Sequence, residues 1–112
     1  AAEGTNVTLW WAFGLGAGET FLRASIEFIQ SGTEAKINFA VIVQSGAKQI
    51  DAKDQSRADI TREGQNVSLS LTNVTLSDDG SYSIKVETST DLLGKIKTTV
   101  LEVTGKTYSA RV

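Results

Sequence analysis

Apolar and polar residues alternate with a period of two in one segment after another, and no window carries a helical period. Val7, Leu9 and Trp11 alternate with Thr8 and Trp10, which predicts a strand over residues 6–13. The alternation is less clean over 21–29, yet SIEFI sets Ile26 and Phe28 on one face. KINFAVIV, residues 36–43, is rich in β-branched residues and stops at the turn signal QSG. RADIT, residues 57–61, reads as a short strand before a turn at Glu63-Gly64. In NVSLSL, residues 66–71, Val67, Leu69 and Leu71 share one face and the serines take the other. Tyr82, Ile84 and Val86 repeat that pattern and leave Ser83, Lys85 and Glu87 towards solvent. KIKTTVLEV, residues 95–103, closes the set after a hairpin loop over 88–94.

Seven or more short strands divided by turn signals, with no helix between them, predict an all-β antiparallel sandwich. No composition break interrupts the chain, so residues 1–112 read as one domain: a sandwich over 1–105 and a tail, 106–112, leading towards a possible next domain. A chain of 112 residues can bury a core without a covalent staple.

Composition narrows the chemistry. There is no Cys, His or Met, which excludes cysteine nucleophiles, histidine-based triads and the usual zinc sites. No polar cluster offers a nucleophile with a base, so the chain is not expected to be an enzyme or to carry a cofactor or metal. Eleven Lys and Arg spread among thirteen Asp and Glu make no basic patch for nucleic acid. The longest apolar run, FAVIV, is too short to span a bilayer, and with neither leader nor anchor in view the segment reads as a piece of a mature ectodomain. Asn6, Asn66 and Asn73 each open an Asn-x-Ser/Thr acceptor, which favours the secretory route and marks three candidate N-glycosylation sites.

Tempting motifs have plainer readings. GLGAG, residues 14–18, is followed by a strand and not by the helix that a phosphate loop needs, so it reads as a flexible connection. Asp78-Asp79 are neighbours at a strand end whose carboxylates point apart. Nothing in the sequence makes Asp51, Asp54 and TSTD converge on a cation.

LTNVTLSDDGSYSIKV, residues 71–86, carries the spacing L-x-L-x-x-V-x-x-x-D-x-G-x-Y from Leu69 to Tyr82. It resembles the E strand, E–F turn and F strand of variable-type (V-set) immunoglobulin superfamily domains. EGTNVTLWW is similar to the family's B strand. The resemblance implies that Tyr82 forms the corner of the turn, that Arg57 pairs with Asp78, and that Trp11 and Ile84 stand at the two positions of the family's inter-sheet disulfide. The family's C-strand tryptophan is absent too, with Ile26 or Phe28 in its place. An indole facing an isoleucine can fill the gap between sheets about 10 Å apart. Burial of such side chains contributes roughly 1.5–3 kcal/mol each, comparable with a disulfide.

The combination of departures resembles the ectodomains of cnidarian (Hydractinia-type) allorecognition receptors. That implies an extracellular, cell-surface recognition module whose partner is a protein, the same protein on an opposing cell, with the isolated domain a monomer or weak dimer. A carbohydrate-binding sandwich and a structural spacer are the alternatives. The sheet of C, C′, F and G strands would be the binding face, with Leu92 and Leu93 in the hairpin loop and Ile96 on the last strand; a bulge near Thr99 would instead turn Ile96 and Val100 inward. Trp10, outward if Trp11 is core, is expected to pack under a loop or the N-terminal segment, with a contact surface as the other reading.

Overall fold

A computed structural model describes residues 2–34, 36–51 and 56–104; the side chains at 91–93 and 95 lie outside the described part, as do Asp54 and the expected tail at 106–112. Eight strands follow one another among the described residues: β1 (Val7–Ala12), β2 (Phe21–Gln30), β3 (Lys36–Val43), β4 (Lys48–Ile50), β5 (Ala58–Glu63), β6 (Asn66–Leu71), β7 (Gly80–Thr88) and β8 (Asp91–Leu101). They form an all-β sandwich of two antiparallel sheets, one of order β1-β6-β5 and one of order β4-β3-β2-β7-β8. No α-helix occurs among the described residues; a single 3-10 turn, Leu76–Asp78, joins β6 to β7 by way of the loop at 72–75.

Alternation builds the core. Leu9 and Trp11 of β1 and Val67, Leu69 and Leu71 of β6 are buried, and Ile26, Ile84 and Leu101 of the other sheet are buried opposite them. Ile26 stands in register with Ile84, and Phe28 with Tyr82. One irregularity adds to this core. Between Ile26 and Glu27 the register with β3 slips, so Phe39 has no partner on β2 and both Phe39 and Ala40 face inward. A bulge of this kind reverses the parity of a strand, here to the benefit of packing.

The hairpin differs from the predicted loop. β7 runs on to Thr88, which pairs with Asp91 across a two-residue turn, and the strands rejoin at Val86 and Lys95. The residues between them, 92–94, bulge from β8 opposite Glu87. Gly94 makes this possible: its φ is +82°, and a Cβ there would lie 2.7 Å from the Lys85 side chain. Two adjacent leucines break the alternation, which is why the segment reads as a loop in sequence. β4 was not predicted either, being three residues with no alternation of their own.

Candidate protein-recognition face

The frame beneath the face rests on Asp78. Its carboxylate accepts two bonds from the Arg57 guanidinium, one at 3.0 Å, and a third from the Thr75 amide at 2.8 Å. Its carbonyl accepts the Tyr82 hydroxyl at 2.8 Å. Asp78 is thus buried with its charge paired and its acceptors used, as burial of a carboxylate requires. Gly80 completes the turn, since a Cβ there would sit 2.2 Å from the Ile29 carbonyl oxygen. Tyr82 also stacks on Phe28 at 4.6 Å and meets Phe39 edge-on at 5.9 Å, an aromatic cluster that the sequence does not announce because Phe39 reaches it through the bulge.

Trp11 and Ile84 are both buried and line one cavity of about 200 Å³ between the sheets, together with Val86 and Lys97. The Trp11 indole Nε1 donates to Thr99 Oγ1 of β8 at 3.1 Å, an inter-sheet bond that no local spacing predicts. Lys97 Nζ donates to the Ala12 carbonyl at 2.7 Å across the same opening.

On the outer surface of the five-stranded sheet, the register places side chains in rows. Val100, Ser81 and Ile29 form one; Thr98, Ser83, Glu27 and Asn38 the next; Ile96, Lys85, Ser25 and Val41 a third; Glu87, Arg23 and Val43 a fourth. Ile96 and Val100 are 65% and 64% exposed, and β8 keeps its register from Lys95 to Leu101, so no bulge near Thr99 turns them inward. Both signs of charge share this surface: Arg23 bonds Glu87 at 2.8 Å, and Lys85 lies 3.9 Å from the same carboxylate. Ser83 and Thr98 share a hydrogen bond of 2.9 Å. The side chains of Leu92 and Leu93, expected to join this face, lie outside the described residues.

The outer surface of the three-stranded sheet has another character. Trp10 is 63% exposed, so among the described residues neither a loop nor the N-terminal segment covers it. Its cross-strand neighbours are Ser68 and then Thr61, whose hydroxyls lie 2.6 Å apart. Ser68 is only 5% exposed although alternation sends it outward; it is short, lies on the central strand between Trp10 and Thr61, and bonds the Thr61 hydroxyl. Asn6, Asn66 and Asn73 are all exposed, and all belong to this sheet or its adjoining loop. Asn6 Oδ1 accepts the Asn73 amide at 3.1 Å, while Asn66 stands at the other end of β6.

Among the described residues no helix is long and apolar enough to cross a membrane, and no three acidic side chains are grouped as a metal site needs. The model of the immunoglobulin V-set domain matches residues 1–104. Among solved structures, murine CRIg superposes with a TM-score of 0.73 at 14% identity, over 96% of this chain and 90% of that one. No curated protein matches the sequence.

Proposed function

The chain belongs to the immunoglobulin V-set family, and from that premise we propose that it is a cell-surface recognition module that binds a second copy of itself on an opposing cell, as the membrane-distal domain of an allorecognition-type receptor. V-set domains are typically extracellular, non-enzymatic and engaged in binding other proteins, which sets the class of function. One observation carries the rest: the two outer surfaces are sorted. The three Asn acceptors lie on the side of the three-stranded sheet, and the exposed aliphatics Ile96 and Val100 lie on the other. Glycans on Asn6, Asn66 and Asn73 would shield one sheet and leave the other free.

The free face suits its own copy. An isologous contact lays one patch against itself, so the patch must carry both signs of charge or repel. Here Arg23 and Lys85 share the surface with Glu27 and Glu87, and Ile96 and Val100 supply apolar area near the β8 edge, with Leu92 and Leu93 assigned to the same surface. A carbohydrate-binding sandwich would display clustered aromatics, whereas Trp10 is the one aromatic among the strongly exposed large hydrophobics of the described residues. A contact of this size can bury under about 1,200 Å² and act through many copies on a membrane.

The experiment is bead aggregation with the ectodomain carrying Ile96→Asp. Because Ile96 is 65% exposed, its replacement is expected to leave the domain folded, with only the small loss in melting temperature that an Asp in a strand brings. Aggregation is expected to be abolished. A folded variant that still aggregates would place the binding face elsewhere.

A further inference from the structure

Trp10 is the least explained side chain of the molecule. It leaves most of an indole in water on a surface whose other outward residues along the three strands are Thr8, Ala12, Ser68, Ser70, Asp59 and Thr61, with Asn66 and Glu63 at the end of the hairpin. The core of a protein contact is depleted of charge, whereas this indole stands next to the Thr8 and Ser68 hydroxyls and the Asn66 amide, with Asp59 and Glu63 on the same face and Ala12 its one apolar neighbour. A pyranose has the complementary build: one face of C–H groups to lie on the ring, and a rim of hydroxyls to meet Ser, Thr and Asn.

We infer that Asn66 carries an N-linked glycan whose first sugar packs on Trp10. The register supplies the geometry. Trp10 pairs with Ser68 and Ala12 with Asn66, so Asn66 is the diagonal neighbour of Trp10 on the same outward face. Diagonal neighbours lie about 7–8 Å apart, within reach of an aromatic ring and a long side chain, and a glycosylated Asn is both long and bulky. The strand that bears Asn66 is the one that pairs with β1, and Ser68 turns its hydroxyl to Thr61 on the far side, which leaves the flank facing Trp10 to the indole and Asn66. Asn6 and Asn73 are joined at the far end of the sheet, where no exposed aromatic stands among the described residues.

The modification is an ordinary group transfer during secretion. The Asn66 carboxamide nitrogen attacks the anomeric carbon of an oligosaccharide carried on a lipid diphosphate. A C–N bond forms, the C–O bond to the diphosphate breaks with its electron pair leaving on the phosphate, and the amide proton passes to a base of the host transferase. Val67 and Ser68 complete the acceptor, and transfer to the unfolded chain needs no access to the Ser68 hydroxyl in the fold. The inference rests on the extracellular placement proposed above, but not on homophilic binding.

The test is to secrete the 112-residue chain behind a leader from eukaryotic cells, map Asn66 occupancy by mass spectrometry, and trim the glycans enzymatically to one N-acetylglucosamine. Trp11 is buried, so acrylamide quenching of tryptophan emission reads Trp10. Asn66→Gln should raise quenching about twofold, as shielded ring area returns to water. The sugar should raise the melting temperature by about 4 °C when Trp10 is present and leave it unchanged in Trp10→Thr. An unmodified Asn66 in the secreted chain, or equal effects of the sugar with and without Trp10, would overturn the inference. Bead aggregation by Trp10→Thr is expected to remain normal, so a failure here is separate from a failure of the Ile96 experiment.

Discussion

Two halves of the core hold the sheets together by different means. Below, at the turn between β6 and β7, one buried carboxylate ties Arg57, the Thr75 amide and, through its own carbonyl, the Tyr82 hydroxyl, while three aromatic rings fill the space with centroids 4.6–6.2 Å apart. Above, Trp11 and Ile84 border a cavity of about 200 Å³, and the Trp11 indole bond to Thr99 and the Lys97 bond to the Ala12 carbonyl cross from sheet to sheet. The lower half is held by directional bonds that converge on one residue, and the upper half by apolar bulk and two dispersed side-chain bonds, Trp11 to Thr99 and Lys97 to the Ala12 carbonyl. This V-set sandwich, which has no cysteine, is therefore held above by side-chain volume and two dispersed bonds while its turn is fixed below.

The largest effect should come from Trp11→Ala, at about 3–5 kcal/mol in chemical denaturation, because it removes a buried ring with its bond to Thr99 and opens the existing cavity further. A midpoint unmoved by this change would break the comparison, since the upper half would then contribute nothing. Arg57→Met should cost about 2–3 kcal/mol, below the full penalty for breaking a buried pair because the Arg57 side chain keeps 25% exposure while Asp78 keeps 5%. A loss under about 0.5 kcal/mol would place this pair with ordinary surface ion pairs instead.

The lower half was legible in the sequence, whereas of the upper half only the burial of Trp11 and Ile84 was, for a physical reason. Asp78, Gly80 and Tyr82 act through backbone atoms within a few residues of one another, so their spacing encodes their geometry, and the motif carried Arg57 with it. Trp11 and Thr99 are 88 residues apart, and nothing local records which indole will meet which hydroxyl. Parity errors account for the rest. Phe39 enters the aromatic cluster through a one-residue slip, Ser68 is buried on an outward position by its cross-strand neighbours, and the bulge at Gly94 hides a strand behind two leucines. On the candidate face, alternation found Ile96 and Val100, but the pairing of Arg23 with Glu87 needed the register of β2 against β7.

Tyr82→Phe isolates one bond of the lower half. The ring and its stacking on Phe28 persist while the hydroxyl is lost, so the expected cost is about 0.5–1.5 kcal/mol. The Asp78 carbonyl would lose this donor in a site where Tyr82 is fully buried, which favours the upper part of that range. A neutral or stabilising outcome in thermal unfolding would mean that the aromatic cluster, and not the corner bond, fixes this half.

The smallest effect concerns acid. Asp79 turns away from Asp78 and accepts the Ser31 hydroxyl and, at 2.7 Å, the Val103 amide, which ties the turn to the chain beyond β8. The Ser31 hydrogen bond first, and the Val103 amide second, hold the Asp79 carboxyl below its ordinary value of 3.8. A carboxylate whose pKa is lower in the folded than in the unfolded state stabilises above the unfolded value, about 3.9, and that contribution is lost as pH falls through the folded value. Asp79→Asn should therefore lower the denaturation midpoint slightly at pH 7, and the gap from the parent should close progressively below about pH 4. Tyr82→Phe, which removes a bond between uncharged groups, should show no such closing over the same range. Trp11 and Thr99 are likewise uncharged, so acid should release the Val103 amide to hydrogen exchange, measured against its intrinsic rate, before it loosens the upper half. A gap for Asp79→Asn that stays constant from pH 7 to pH 2 would show that the carboxylate's charge contributes nothing to the turn.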